Sequence, residues 1–259
     1  MAADTSQAAS TMGKRKNNNR AKAFEPATRP SSKPAASIQL PASALAAPLV
    51  PPGGTRPRSD SKWLQPEVRT LLEDDEGDAM LVAEPILTRD ECASWIAWGE
   101  SNGFALEKHA ATANIAHRDN GRLAIESVDV AQAIFARLQP WVPLEVAGRR
   151  AIGCNPNIRL YRYEVGQRFG PHIDQANRLG GGAVTEFTVL LYLNDDGLEG
   201  GETVFHGIEA AEGDASTLRV APRAGAVLVH AHGTRCLTHE GAAVTSGVKY
   251  LLRTDVAYA

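Results

Sequence analysis

Residues 159–175 read RLYRYEVGQRFGPHIDQ. The first half alternates apolar and polar residues and is rich in aromatic and β-branched types, which predicts a strand. The second half ends in His172-Ile173-Asp174. Residues i and i+2 of an extended chain point to one face, so His172 and Asp174 converge on one point if strand geometry persists that far. H-x-D alone is a weak signal, and it occurs twice: His117-Arg118-Asp119 has the same spacing. That copy lies in AHRDNGRL, a polar stretch whose D-N-G reads as a turn. No strand character precedes His117, whereas it does precede His172.

Working outward, the segments IRLYRYEV, EFTVLLYL, ETVFH, AVLVHAH and VKYLLRTDVAY carry strand composition. NDDGLEGG, APRAG and SG punctuate them. Gly200-Gly201 reads as a tight turn between two of these strands. Upstream, ILTRDECASWIAWGESNGF predicts a helix with a capping box, Thr88 with Glu91, and Gly103 at its far end. Cys92, Trp95, Ile96 and Gly99 share one helical face, as expected for core packing. VDVAQAIFARLQPWV predicts a second helix, with Val130, Ile134 and Leu138 on its buried face and Pro140 at its end. Helices followed by a run of strands imply an α+β protein built around a β-sandwich or barrel.

The chain has 259 residues and a net charge of −3. Residues 1–60 hold nine Lys/Arg and three Asp/Glu, or +6, leaving −9 for the remainder. This Ala, Ser and Pro-rich leader is expected to be disordered. Its basic cluster, GKRKNNNRAK at 13–22, fits nuclear import, a nucleic-acid arm or a solvated tail. Helical support is expected over 61–150 and a β-barrel over 151–259. An acidic body argues against binding duplex DNA. No membrane span is evident, and the start lacks the apolar core of a signal peptide, so a cytoplasmic or nuclear protein is expected. Cys92, Cys154 and Cys236 fit buried thiols in a reducing compartment.

A metal at His172 and Asp174 needs a third ligand from elsewhere. His239, 65 residues after Asp174, is the candidate. Two imidazoles and a carboxylate form the facial triad of non-haem Fe(II) sites. His230 and His232 compete for the role and would suit a cupin-type site. His239 instead precedes a strand holding Lys249, a cation placed to meet a dicarboxylate, with the Tyr163 hydroxyl as a second donor. Arg253 shares the strand face of Lys249 but lies about 13 Å further along. Arg118, Asn120 and Arg122 could line a substrate groove, or simply form an exposed charged loop.

These motifs, over residues 154–258, resemble the catalytic domain of prolyl 4-hydroxylases and related Fe(II)/2-oxoglutarate dioxygenases. RYEVGQRFGPHID carries Tyr163 nine residues before His172. Thr188–Asn194, Gly200–Phe205 and Pro222–Gly225 follow in order, then His239 and Gly247-Val248-Lys249. The resemblance implies a double-stranded β-helix, a jelly-roll barrel with supporting N-terminal helices. It further implies Fe(II) on His172, Asp174 and His239, and 2-oxoglutarate on Lys249 and Tyr163. It implies too that O2 is the cosubstrate, that L-ascorbate keeps the iron reduced, and that succinate and CO2 are released. A prolyl residue of a peptide or protein is the expected substrate. A small molecule or nucleic-acid base, or a non-catalytic cupin-like binding module, are the alternatives. Phe169 and Tyr250 stand where the family often has tyrosine and tryptophan, and His230 or a neighbour replaces an apolar residue.

Overall fold

The computed structural model describes residues 36–37, 49–51, 66–75, 77–112, 115–208 and 217–259. The leader and its basic cluster therefore lie outside the described residues, apart from two short pieces. Ala36–Ser37 pair with Glu67 and Val68. Leu49 is buried, and its N–H and C=O bond Glu91 and the Trp95 indole.

All strands of the main sheet pair antiparallel. Besides the two-residue strands Ala36–Ser37 and Glu145–Val146, they are in chain order β1 (Glu67–Asp74), β2 (Gly77–Glu84), β3 (Ala105–His109), β4 (Arg118–Glu126), β5 (Arg149–Cys154), β6 (Asn157–Tyr163), β7 (Phe169–His172), β8 (Val184–Tyr192), β9 (Thr203–His206), β10 (Thr217–Val220), β11 (Val227–Ala231), β12 (His239–Gly241) and β13 (Lys249–Tyr258). The hydrogen-bonded path runs β1-β2-β11-β8-β13-β6-β4-β7-β12-β9-β10. β3 pairs with β4, and β5 with β13. The sheet curls so that β11-β8-β13-β6 face β7-β12-β9-β10, with a cavity between the two halves. This matches the expected double-stranded β-helix.

The strand period builds that cavity. Tyr161 and Tyr163 on β6, Leu190 on β8, and Lys249, Leu251 and Arg253 on β13 all line it. The intervening Val189, Leu191, Leu252 and Val256 are fully buried on the opposite face, in the hydrophobic core.

The expected region of supporting N-terminal helices over 61–150 is corrected by the structure. Two helices form there, α1 (Arg89–Asn102) and α2 (Val128–Leu138), but five strands, β1 to β4 and the short Glu145–Val146, share the region and the architecture is mostly sheet. The D-N-G of 119–121 is no turn. It lies inside β4, which is inserted between β6 and β7. Gly121 is required there by close approach rather than by a bend: a Cβ would sit 2.9 Å from the Phe104 Cβ.

The helices pack as their patterns predict. The Thr88/Glu91 capping box forms, and Cys92, Trp95 and Gly99 are buried. Val130, Ile134 and Leu138 are buried on α2. Glu91 and Arg137, both buried, join the two helices through paired contacts of 2.7 and 2.9 Å. Burial alone would raise the Glu91 pKa, but the Arg137 guanidinium outweighs it and holds the carboxyl below its ordinary value. No helix among the described residues is long and apolar enough to cross a membrane.

Candidate metal and dicarboxylate site

Register assembles the site. His172 on β7 and His239 on β12 are direct cross-strand partners, and their rings lie 4.3 Å apart. Asp174 follows two residues beyond the end of β7, so the extended geometry holds long enough to bring it back to the same face. His172 Nε2 is 3.6 Å from Asp174 Oδ1, and His239 Nε2 is 3.5 Å from Oδ2. Ligand atoms of all three residues lie within 4.8 Å of one another. The other H-x-D is not such a place. Asp119 pairs with Lys108, and the His117 carbonyl accepts the Gly170 N–H.

The imidazoles are oriented from behind. His172 Nδ1 is 2.9 Å from the Gly170 carbonyl and His239 Nδ1 is 2.9 Å from the Leu237 carbonyl. Each carbonyl takes a ring N–H, which leaves Nε2, the nitrogen facing Asp174, as the one available to a metal. Phe169 stacks on His172 at 3.7 Å, and Phe205, the register partner of His239, covers that ring at 5.3 Å.

Asp174 is nearly fully buried yet well paired. Thr188 Oγ1 donates to Oδ2 at 2.8 Å, and Arg253 Nη2 meets Oδ1 at 2.9 Å. Burial opposes ionisation, but Arg253 first and the two histidines next hold the carboxyl well below its usual range. The sequence places Arg253 on the strand face of Lys249, about 13 Å further along. In the structure it contacts Asp174 and approaches Asp255 at 3.7 Å. Thr188 and Arg253 were missed as partners of Asp174. Strand parity was the available signal, since Thr188 and Leu190 share the inward face of β8, and Leu190 pairs in register with Arg253.

Lys249 stands at the other end. It pairs in register with Tyr163. It is 3% exposed, and its Nζ donates to the Gly201 carbonyl at 2.5 Å. The Tyr163 and Tyr192 rings lie 5.5 and 5.7 Å away. No salt bridge to Lys249 exists among the described residues, and burial pushes its pKa down to about 8. A buried ammonium without a carboxylate partner is costly, and it suits a site that receives one. Gly201, at φ +70°, leaves room for the lysine: a Cβ there would meet Lys249 Cδ at 3.0 Å.

Of the competing histidines, His232 belongs to neither ligand cluster among the described residues, and its Nδ1 contacts Thr188 Oγ1 at 3.1 Å. His230 points inward, with Nε2 3.8 Å from Asp174 Oδ2. Of the three residues suggested as a groove, Arg118 lines the cavity and lies 4.0 Å over the Phe169 ring. Arg122 pairs with Glu107 at 2.5 Å, and Asn120 is buried inside β4.

Residues 158–254 match the sequence model of the 2OG-Fe(II) oxygenase superfamily. No curated protein sequence matches the chain significantly. The fold is similar to that of a viral collagen prolyl hydroxylase from Paramecium Bursaria Chlorella virus-1, solved with 2OG. The TM-score is 0.51 at 17% identity, covering 71% of this chain and 98% of that one. It is also similar to a Trichoplax adhaerens prolyl hydroxylase solved with a hypoxia inducible factor peptide fragment. There the TM-score is 0.52 at 15% identity, covering 69% and 83%. At these identities the likeness is one of fold. The resemblance read from the motifs is borne out at that level: a superfamily sequence pattern on a prolyl hydroxylase-like fold.

Proposed function

We propose that the protein is an Fe(II)- and 2-oxoglutarate-dependent dioxygenase that hydroxylates a prolyl residue of a peptide or protein. The observation that carries the reading is the coexistence of two features in one cavity. One is a His172/Asp174/His239 cluster with both imidazole tautomers fixed from behind. The other is a buried Lys249 at the opposite end, with no salt bridge among the described residues. Two imidazoles and a carboxylate are the donor set of non-haem Fe(II) sites, so these residues fit the metal. When bound there, iron supplies the redox chemistry by which 2-oxoglutarate and O2 yield succinate and CO2, with one oxygen atom inserted into a substrate C–H bond.

The protein's own part is placement and exclusion. His172 and His239 hold the metal through Nε2. Thr188 and Arg253 keep Asp174 ionised and fix its rotamer. Lys249 and the Tyr163 hydroxyl bind the distal carboxylate of the cosubstrate, setting its length against the metal. Leu190 and Leu251 line the wall between the two ends and exclude water from it. L-Ascorbate enters the reading as a reductant. The prolyl substrate is drawn from the fold likeness and the motif resemblance.

Two assays test the reading. Purified protein with Fe(II), 2-oxoglutarate and ascorbate is expected to release succinate, and Asp174→Ala to release none. A proline-rich peptide pool should gain 16 Da per turnover, the mass of one oxygen atom, while a methylated oligonucleotide stays unchanged. Oxidation of the oligonucleotide alone overturns the prolyl assignment. Failure of the wild type to bind both Fe(II) and 2-oxoglutarate overturns the dioxygenase.

A further inference from the structure

His239 belongs to a second cluster. His230, Cys236 and His239 are all buried, and their ligand atoms lie within 4.8 Å of one another. The His230 ring is built like a ligand. Its Nδ1 lies 3.1 Å from the Ala231 carbonyl, which takes the ring proton and leaves the lone pair on Nε2. That Nε2 has no hydrogen-bond partner among the described residues, although His230 is 1% exposed; the nearest carboxylate oxygen, Asp174 Oδ2, lies 3.8 Å away, beyond hydrogen-bond distance. Packing explains the ring but not this atom. Phe205 meets the ring edge-on at 5.1 Å, which any apolar side chain could match without an unsatisfied nitrogen. Cys236 Sγ accepts the Asp174 N–H at 3.3 Å and lies 3.8 Å from His239 Nδ1.

We propose that His230, Cys236 and His239 form a second metal site, selective for thiophilic divalent cations such as Zn(II), which competes with the His172/Asp174/His239 set for His239. The donor chemistry separates the two sets. A thiolate with two imidazoles favours a tetrahedral Zn(II) centre with its fourth position open, whereas imidazoles with a carboxylate suit Fe(II). Binding exchanges the thiol proton, released to solvent, for a metal–sulfur bond. Because both sets need His239, filling the sulfur set withdraws or reorients a ligand of the other. The site thus makes the protein sensitive to zinc through residues of its own, and the inference does not rest on the oxygenase reading.

The probe is Co(II) alone, titrated anaerobically into the metal-free full chain. A cobalt–thiolate bond gives a near-ultraviolet charge-transfer band that nitrogen and oxygen donors do not give. The wild type is expected to show this band. It should persist in Asp174→Ala, which disables only the other set, and disappear in Cys236→Ser. His230→Phe should weaken the affinity read from the band at least tenfold. The band should also survive in the Cys92→Ser, Cys154→Ser double variant, which assigns the sulfur even if Cys236→Ser fails to fold. A wild type that saturates with Co(II) without the band overturns the proposal. So does loss of the band in the double variant.

Discussion

Arg253 Nη2 lies 2.9 Å from Asp174 Oδ1, with the two side chains 11% and 6% exposed. The pair is a buried ion pair whose acid also faces two imidazoles. Removing the guanidinium leaves a desolvated carboxylate without its strongest partner. Arg253→Met is expected to lower the unfolding free energy of the metal-free protein by about 3–5 kcal/mol. Urea denaturation at unchanged m-value measures it. A loss below about 1 kcal/mol would mean that Arg253 is not the partner of Asp174 but is free for another ligand.

Lys249 gives the opposite sign. A lysine in the unfolded chain titrates near 10.4, and here burial holds it at about 8. The groups that face it are the Tyr163 and Tyr192 phenols, whose pKa values burial raises, and Glu202, whose charge favours the ammonium. Below pH 8 the folded protein carries the full cost of the buried charge. Between pH 8 and 10.4 the unfolded chain binds more protons, so this group makes stability rise with pH. Lys249→Met is therefore expected to stabilise the cosubstrate-free protein at pH 7 by about 3 kcal/mol, and to abolish that rise. Thermal scans across this pH range decide it.

The same titration governs the cosubstrate. Loss of the ammonium removes the charge that meets a carboxylate, so apparent 2-oxoglutarate affinity should fall as pH rises through about 8. Lys249→Ala should weaken it by roughly a hundredfold at pH 7 while leaving Fe(II) binding intact, a loss near 2–3 kcal/mol for one charge-assisted contact. Equal affinity in the variant would reassign the carboxylate to another cation.

Among the histidines, His172→Ala and His239→Ala should each reduce Fe(II) affinity by at least about a hundredfold. His232→Ala should stay within about tenfold of the wild type, because its Nδ1 is engaged by Thr188. Anaerobic Fe(II) titration followed by tryptophan fluorescence gives both numbers. A large loss in His232→Ala would favour the cupin-type arrangement.

Between the helices, Arg137→Ala strands the Glu91 carboxylate and should cost about 3–5 kcal/mol. The double change to Glu91→Leu, Arg137→Met should recover most of it. Chemical denaturation of the wild type and both variants forms the comparison. A double variant as unstable as the single one would show that the pair does more than compensate its own desolvation.

The site was legible where chemistry and period coincide. Strand parity puts His172 and Asp174 on one face, while His239, Tyr163 and Lys249 are candidates whose roles the motif resemblance implies; the structure brings the first three together and pairs the last two in register. β4 was not legible. RDNGRLAIE has few β-branched residues and a turn-like D-N-G, and only pairing with β6 on one side and β3 on the other makes it a strand. The inward roles of Arg253, Thr188 and His230 were equally hidden. A sequence shows that such residues share a face, but which atom each meets is set by strands far away in the chain.

The two halves of the barrel are unequal. β8, β13 and β6 have nine, ten and seven residues, while β7, β12, β9 and β10 have only four, three, four and four. His172 and His239 sit on the short-stranded half; Lys249 and Arg253 sit on the long one. Short ladders open at lower free energy than long ones, so amide hydrogens of 169–172 and 239–241 should exchange well before those of 249–258. An ion gripping His172 and His239 would act as a clasp on the weaker wall, and its arrival would be written first in the exchange protection of the six amides there, Pro171 having none.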